Sequence, residues 1–475
     1  MRTTTNPLEL NLFRLWSAVL VVTVCLCGLM PAFSAFAQDN HGVVLSLQQC
    51  ETLAFENNPL LEDARQSLRL AEVKMLQVMH SNILPRFELR NVWGPIPQQR
   101  GVYDSTGVLT SPDKPDEFNE LRYFTQVDLH LEQPLYTFGR YSKRSQEAHF
   151  SAQAARARVE KRKAETQLQV RQLYWGLVLG QELLPVIVKA RDDMTKAENK
   201  LEEKLEAGSD EVSQTDLFKL QMFKYEINKR HREALYKLGL ARSSLKAAIG
   251  LPQQDEFTLE TEYLEPLQVE LDSLSIYYDL ALRNRPELAE LRAKTNARYA
   301  RIEVERSQRY PQFFAGAETK FNFAKDRFDP RNPFVNNSTN YFRPNPFVGV
   351  RQNLNFVRTL DKIRLAQIEY ELAGQKDQAL AKEILLQVKK AYAQVLQART
   401  RLEQSRKALK ASDNWLRSAS MTFDIGVGET KNLIKASRAN SAMQAEHFQN
   451  IFLLNTALAE LSRVVGKDVY PEVGR

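Results

Sequence analysis

A helical pattern that runs without a turn signal from Arg140 to Leu205 constrains this chain more than any other feature. From Leu173 onward, apolar residues recur at intervals of three, four and seven, which is the spacing of a coiled-coil seam. The residues of this seam are Leu173, Leu177, Leu184, Ile187, Met194, Leu201 and Leu205. At about 1.5 Å of rise per residue, the segment would form a rod of roughly 100 Å. Such a rod needs partners along its whole length.

The chain repeats this long element. A second helical pattern of the same span extends from Arg358 to Phe423. Ahead of it, Leu280-Ala281 with Asn284 and Pro286 reproduces the spacing of Leu53-Ala54 with Asn57 and Pro59. Self-similarity at this distance indicates an internal repeat. The sequence therefore predicts two copies of one unit: helix, strand, loop, strand, long helix, turn, helix.

The predicted boundaries follow from changes of period and from Pro and Gly signals. Within each unit, we expect the two shorter helices to stack end to end beside the long helix, in which Pro185 should cause a local kink. The first repeat is placed at 38–250, with strands 86–95 and 122–134, long helix 140–205 and helix 215–250; a linker at 251–270 follows; the second repeat is placed at 271–466, with strands 312–323 and 347–356, long helix 358–423 and helix 431–465; residues 467–475 form a tail.

The first 37 residues have the pattern of a cleavable signal peptide. Arg2 and Arg14 precede an apolar run, and Ala35-Phe36-Ala37 provides a small-x-small cleavage site. Removal of this segment leaves Cys50 as the one cysteine, so an intrachain disulfide is excluded. Beyond the signal, we expect no transmembrane helix. Any entry into a membrane would therefore be made by strands.

The predicted strands have the length and alternation that a membrane barrel requires. In the second strand, Val127, Leu129 and Leu131 point to one side, and polar residues point to the other. About ten residues per strand suffice to cross a bilayer obliquely. Four strands cannot close a barrel, and open edges in lipid are costly, so several chains must share one barrel. A soluble sheet with one wet face is the alternative.

Charge and composition argue against nucleic-acid binding and catalysis. The net charge is +7, but acidic and basic residues are interleaved and no basic block tracks a phosphate backbone. The six histidines are scattered, with no His-Glu-x-x-His motif and no cysteine pair, so the mature sequence offers no metal ligand set. Gly426-Val427-Gly428 lacks the third glycine of a dinucleotide loop. We predict a protein that is not an enzyme and that has no cofactor.

Taken in order, these motifs resemble those of the TolC-type family of outer-membrane efflux and secretion channels. The shared motifs are the two Leu-Ala-x-x-Asn-x-Pro segments, the Pro134-Leu135-Tyr136-Thr137-Phe138-Gly139-Arg140 run, the Gly208 and Gly426 turns, and the helix ends at Gly250 and Gly466. The resemblance implies a mainly α fold with a small β part: a homotrimer with a long coiled-coil α-barrel and a 12-stranded β-barrel in outer-membrane lipid of a Gram-negative-type bacterium. It also implies two partners, a periplasmic adaptor and an inner-membrane transporter, and a passive role in efflux or type I secretion.

The two turns between long and returning helices are the candidate pore entrance and adaptor-contact tips. In the family, the second tip carries aspartates and an arginine that narrow the pore; here Asn432 and Lys435 replace the carboxylates and Gly428 replaces the arginine. We hypothesise that Asp210, Glu211 and Glu429 supply negative charge at the entrance, while ordinary solvated turn residues are the alternative. The candidate tip residues are Gly208, Asp210, Glu211, Asp216, Asp424, Gly426, Gly428, Glu429, Asn432 and Lys435.

A second function class remains open at this point. A periplasmic coiled-coil adaptor or scaffold would also have a signal peptide and a long helical hairpin. Adaptors usually combine one hairpin with small β domains, whereas this sequence predicts two hairpins and four strands. Fractionation with outer membranes would favour the channel, and release as a soluble monomer would favour the scaffold.

Overall fold

A computed structural model describes residues 43–97, 102–103, 108–111, 121–207, 213–325 and 340–470. The predicted signal peptide, the Gly208 turn and the end of the tail lie outside these residues. The chain divides into a small unit, Met1–Val44 with Glu256–Thr258, and a large unit, Leu45–Asp255 with Leu259–Arg475. In the small unit, Val43 and Val44 belong to the short strand β1, and Phe257 and Thr258 belong to the short strand β6.

The described elements occur in the order that the repeat predicts. The helices are α1 (Leu47–Asn57), α2 (Pro59–Ile83), α3 (Arg140–Glu206), α4 (Gln214–Ile249), α5 (Leu274–Asn284), α6 (Pro286–Ser307), α7 (Phe356–Asp424) and α8 (Thr430–Val465). The strands are β1 (Val43–Leu45), β2 (Arg86–Pro97), β3 (Val102–Tyr103), β4 (Leu109–Ser111), β5 (Leu121–Tyr136), β6 (Phe257–Leu259), β7 (Gln312–Ala324) and β8 (Tyr341–Arg351). The fold is thus mainly helical with a small strand part.

Local sequence signals explain where the first helices begin. Ser46 and Gln49 form a capping box at the start of α1, in which each side chain bonds the other residue's backbone N–H. The Asn58 side chain accepts from the Leu60 and Leu61 N–H groups, at 2.9 and 3.3 Å, and Pro59 occupies the first position of α2. In the second repeat, Pro286 opens α6 in the same way. Each Asn-x-Pro motif therefore divides one helical path into two helices.

The long helices bury a seam of the predicted residues. Leu177, Met194 and Leu201 of α3 are almost fully buried. The helix α3 packs against α1, α2 and α4, as well as against α6 and α8 from the second repeat, and α7 packs against α8 and α6. Burial along a seam, instead of around a centre, is what the heptad spacing requires.

Both repeats use a glycine to join a returning helix to the Asn-x-Pro break. Gly250 ends α4 with φ of 75°, and a Cβ placed there would lie 2.3 Å from the Asn57 Cβ. The Asn57 side chain donates to the Ile249 carbonyl at 3.3 Å. Gly466 ends α8 with the same φ, and its Cβ would lie 2.9 Å from the Asn284 carbonyl carbon. The two repeated motifs, Asn-x-Pro and Gly, therefore meet in space, which explains why both recur.

We expect Gly250→Ala to destabilise the protein by about 2 kcal/mol, because alanine is strained at positive φ and its methyl group would collide with Asn57. The control is Gly239→Ala in the exposed middle of α4, where a Cβ meets nothing within 4 Å. That change should stabilise by about 1 kcal/mol through helix propensity. Thermal unfolding of the detergent-solubilised chain measures both. Equal shifts of the unfolding midpoints of the two variants would contradict a stabilising role for the contact between Gly250 and Asn57.

Four strands form the main sheet, in the order β2-β5-β7-β8 with every neighbouring pair antiparallel. The strands have 12, 16, 13 and 11 residues. Two further two-stranded sheets, β1-β6 and β3-β4, are formed. The hairpins β2-β5 and β7-β8, one from each repeat, therefore lie side by side through β5 and β7.

The structure differs from three expectations. The strand expected at 347–356 begins and ends earlier, as β8 at Tyr341–Arg351. It ends earlier because the helix α7 already begins at Phe356, and it begins earlier because the aromatic-rich segment before Phe347 is extended. The linker 251–270 contains β6. Finally, α3 contains an 18-residue window that is apolar enough to cross a membrane by length and composition, although no such helix was expected.

Candidate functional site: the sheet faces and the hairpin tips

One face of the four-stranded sheet is mainly apolar, although Asn91, Thr125 and Thr319 also lie on it. Residues in register on antiparallel neighbours project to the same side. The register aligns Leu89 with Leu129, and Phe87 with Leu131 and Ala317. Phe87 and Leu89 are about two-thirds exposed, at 67% and 68%, and Val348 is 81% exposed. This apolar face comprises Phe87, Leu89, Trp93, Val127, Leu129, Leu131, Phe313, Ala317, Phe321, Phe323, Phe342, Val348 and Val350.

The opposite face of the sheet is polar and charged. The register places His130 between Glu88 and Glu318, and Asp128 between Arg90 and Lys320. Across the sheet, Arg351 donates from Nη1 and Nη2 to the two oxygens of Glu132 at 3.1 and 2.8 Å. The predicted alternation of Val127, Leu129 and Leu131 against polar neighbours therefore holds across four strands.

Both edges of this sheet are open within the chain. β2 and β8 each have a strand partner on one side among the described residues. An unpaired edge exposes a row of backbone donors and acceptors, which in lipid would cost several kcal/mol per group. In lipid, β2 and β8 would each need a further strand partner.

At the other end of the long helices, the described tip residues are held by local contacts. Gly426 has a φ of 86°, which favours glycine, and a Cβ at Gly428 would lie 2.7 Å from the Phe423 nitrogen. Glu429 precedes α8 without a side-chain cap, and the Asn432 side-chain oxygen accepts from Trp415 Nε1 at 3.3 Å. Lys435 is exposed. Gly208, Asp210 and Glu211 lie outside the described residues.

Two of the predicted carboxylates at the tips are paired with lysines. Asp216, in the first turn of α4, accepts from Lys219 Nζ at 2.9 Å. Asp424, at the end of α7, accepts from Lys200 Nζ of α3 at 2.7 Å. The second contact joins the α3-α4 hairpin to the α7-α8 hairpin. Since both partners are half exposed, each pair is worth about 0.2–1 kcal/mol.

The two hairpins also share an apolar cluster close to their tips. The buried residues of this tip cluster are Ala190, Met194, Ala197, Leu201, Leu220, Phe223, Ile227, Phe423 and Leu433. Next to it, Arg438 of α8 donates to Glu226 of α4 at 2.8 Å, and its guanidinium lies 5.0 Å from the centre of the Phe223 ring. Apolar packing, supplemented by two exposed ion pairs, therefore holds the hairpins together.

A cleft of about 570 Å³ separates the ends of the two hairpins. Four lysines and four carboxylates line it, so its formal charge is balanced. The charged lining residues are Lys200, Glu203, Lys204, Asp216, Lys219, Asp424, Glu429 and Lys431. Asp216, Asp424 and Glu429 are among the predicted tip residues, whereas the four lysines, Phe223, Glu226 and Arg438 are not. The lysines resemble many other charged helix residues, so the sequence gave no signal for them. Phe223 could have been found only from its heptad position.

The described residues contain little that could carry out chemistry. Among them, no group of three or more His, Cys, Asp or Glu side chains could hold a metal ion. Burial, together with the charge of Glu51, raises the pKa of the Cys50 thiol to about 12, so the thiolate does not form near neutral pH. Cys50 is a packing residue of α1.

Solved structures with the same fold are outer-membrane channels. The Campylobacter jejuni CmeC outer membrane channel has a TM-score of 0.71 at 13% identity and covers 90% of this chain and 87% of its own. The outer membrane protein VceC from Vibrio cholerae has a TM-score of 0.70 at 13% identity, covering 89% and 96%. The open state of the Neisseria gonorrhoeae MtrE outer membrane channel has a TM-score of 0.65 at 14% identity, covering 90% and 91%. No curated protein sequence matches the chain.

The fold and the two-faced sheet place the chain in the class of TolC-like channel folds. Residues 277–467 match the family model described as Outer membrane efflux protein. The chain therefore has the fold of these outer-membrane channels, and its second repeat matches the model of the outer-membrane efflux protein family. The resemblance stated from the sequence motifs is therefore confirmed, with the matched residues lying in the second repeat.

Proposed function

We propose that the chain is one subunit of a homotrimeric exit duct that crosses the outer membrane and extends into the periplasm. Its role is passive transport in efflux or type I secretion, powered by an inner-membrane transporter that connects through a periplasmic adaptor. After removal of residues 1–37, the first repeat (38–250) and the second (271–466) each supply one hairpin of strands and one of helices.

The observation that carries this proposal is the combination of a mainly apolar sheet face with two open sheet edges. Because the four strands alternate in direction, β8 of one copy can pair antiparallel with β2 of the next. Three copies then give twelve strands, an even number that closes a barrel and leaves no edge in lipid. The apolar face meets lipid, and the face with Asp128, His130 and Glu132 lines the lumen.

The helices support the same assembly. Along α4, large apolar residues recur at heptad-like spacing and are exposed in the single chain, with Met222, Tyr225 and Tyr236 at 74–78%. Phe218 and Leu240 extend this stripe. An exposed stripe of this length requires a covering helix. In the trimer, the neighbouring subunit provides it, and the long helices form the α-barrel.

The tip cleft is the proposed entrance, and its opening is a population shift. In the closed arrangement, the tip cluster and the Lys200–Asp424 and Arg438–Glu226 pairs join the two hairpins. Binding of an adaptor that favours separated hairpins would open the duct. Asp210, Glu211 and Glu429 are the proposed source of negative charge at the entrance; of these, Glu429 lines the cleft and has no ion-pair partner among the described residues.

Planar-bilayer recordings of the full chain test this function. The detergent-extracted protein should have the mass of three chains and insert as a channel that is mostly closed. The double variant Lys200→Gln, Arg438→Gln should raise the open fraction roughly two- to tenfold, because two exposed ion pairs between the hairpins are lost. The control is Lys407→Gln, which removes a pair with Glu403 inside α7.

The gated duct, a duct without a tip gate and a soluble scaffold predict different results. A trimer with channel activity, in which the double variant but not the control opens more often, supports the gated duct. Equal opening of the double variant and the control would contradict the tip gate while leaving the duct in place. A stable, soluble monomer without detergent would contradict the duct itself and favour the periplasmic scaffold.

A further inference from the structure

Five arginines converge where the sheet joins the helices. The junction cluster consists of Arg86 at the start of β2, Arg140 and Arg144 in the first turns of α3, Arg301 of α6 and Arg351 at the end of β8. Three neighbouring clefts of about 340, 440 and 370 Å³ open between these elements. Arg144 lines all three clefts. The cluster therefore faces open space and is not a packed salt-bridge core.

The carboxylates of these clefts are already neutralised. Both oxygens of Glu132 accept from Arg351, at 3.1 and 2.8 Å. Glu305 lies 3.0 Å from Arg301 and accepts from Gln308 at 2.6 Å, and Glu147 lies 3.5 Å from Arg301. These three carboxylates face six cations, the five arginines and Lys74. The clefts therefore carry an excess of three positive charges.

Arg86, Arg140 and Arg144 carry this excess together with Lys74. Within the described part of the chain, none of them forms an ion pair with a carboxylate. Arg140 makes two long contacts to neutral oxygens, from Nη1 to Gln312 at 3.4 Å and from Nη2 to the Ser307 carbonyl at 3.3 Å. Its Nε is buried and has no hydrogen-bond partner among the described residues. A buried guanidinium donor without a partner is costly, and an anion would satisfy it.

The start of α3 adds to the positive potential. Arg140 is the first residue of this 67-residue helix, which follows Gly139 and has no side-chain cap. The Arg140 N–H donates to the Thr137 carbonyl at 3.1 Å, so it is the helix dipole that favours a negative charge next to Arg140 and Arg144. The guanidinium group matches the geometry of carboxylate and phosphate oxygens better than lysine and amide side chains do.

Arg86 and Arg351 of the junction cluster lie on the charged face of the sheet. Arg86 is in register with Glu132, and Gln312, which contacts Arg140, is in register with Arg351. Any solute that moves along this face from the helices to the strands therefore passes the cluster.

We propose that the junction cluster is an oxyanion-binding site that takes the carboxylate or phosphate group of an anionic cargo. Arg140 and Arg144 supply guanidinium groups that form no ion pair within the described residues, Arg86 adds charge, and Arg301 and Arg351 pair with the neighbouring carboxylates. The role in cargo passage rests on the proposed duct, whereas the binding of an anion does not. In the trimer, three such sites would form a positive ring at the sheet-helix junction.

Isothermal titration of the full chain in detergent, at fixed ionic strength in chloride, tests this site with two probes, inorganic phosphate and citrate. We expect both Arg144→Gln and the double variant Arg140→Gln, Arg144→Gln to weaken binding by at least about tenfold, since each removes charge-assisted hydrogen bonds. Arg144→Lys, which keeps the charge but not the fork, should fall between wild type and Arg144→Gln.

The matched control is Arg158→Gln, an exposed arginine of the same helix that lines none of the three clefts. It carries the same change of charge and should bind both probes as wild type does. No binding to the wild-type chain, unchanged binding to Arg144→Gln, or equal weakening by Arg158→Gln would each overturn the site. Binding of phosphate but not citrate, or the reverse, supports the site and identifies its oxyanion. Because no bilayer is used, failure of the site and failure of the channel are distinguishable.

Discussion

Arg171→Ala should lower the free energy of unfolding by about 3 kcal/mol, because it leaves the largely buried Glu51 carboxylate without its counter-charge. Arg171 of α3 is 6% exposed, and its Nε donates to Glu51 of α1 at 2.6 Å. Nη1 and Nη2 donate to the two oxygens of Asp468 at 2.7 and 3.1 Å. The Tyr470 ring lies 5.0 Å from the guanidinium. One side chain therefore connects the first helix, the long helix and the segment after α8.

The electrostatics of this site agree with a structural role. Burial disfavours the charged form of Arg171, but the hydrogen bonds to Asp468 and the nearby negative charges outweigh it, so the pKa of Arg171 lies above its ordinary value. Without Arg171, Glu51 keeps one hydrogen bond, from Gln167 at 2.9 Å, and stays largely buried. Asp468 is 42% exposed and regains water, which is why we expect the lower end of the range for a broken buried pair.

A matched control is available on the same helix. Arg191 pairs with its neighbour Asp192 at 3.2 Å, and both side chains are more than a third exposed. Arg191→Ala should change the stability by less than about 1 kcal/mol. Denaturant unfolding of the detergent-solubilised protein, followed by far-ultraviolet circular dichroism, measures both variants. A loss for Arg171→Ala as small as that for Arg191→Ala would show that this network does not stabilise the fold.

The sequence predicted the helical part of this fold well because each helix end carries a local signal. Ser46, Pro59, Pro286, Gly250 and Gly466 act through backbone geometry within a few residues, so they can be read without the structure. The predicted position of β8 was wrong because the start of this strand has no such signal. Pro344 and Pro346 lie within the strand, and proline argues against a strand unless it is at the edge of a sheet. The structure places β8 at an edge of the sheet.

The candidate site was predictable to different degrees for the same reason. The alternation of Val127, Leu129 and Leu131 gave the apolar face of the sheet directly, since the period of two is local. The contacts between the hairpins were not predictable. Lys200 and Asp424 are 224 residues apart, and Glu226 and Arg438 are 212 apart. Each of these residues resembles any other solvated charge on a helix, and only the packing of one repeat on the other pairs them.

Leu129→Arg should destabilise the membrane-inserted protein by about 2–4 kcal/mol per chain, because it puts a cation on the proposed lipid face near the middle of β5. Leu129 lies between Leu89 and Thr319 in the sheet, on the apolar face. The arginine would have to reach the bilayer surface or draw water into the hydrocarbon. Because three copies carry the change, we expect a strong loss of trimer in outer membranes, visible by heat-modifiable electrophoresis and by urea unfolding in lipid vesicles.

The neighbouring position provides the control. His130→Arg adds a positive charge one residue further along the same strand, on the charged face, where the side chain lies 3.9 Å from Glu132. There the cation stays in water and next to a carboxylate, so the trimer should survive. If the sheet were the surface of a soluble scaffold, both positions would face water and both variants would be tolerated. Only lipid on one face and water on the other makes two adjacent arginines differ, because the pleat of the strand sends them to opposite sides.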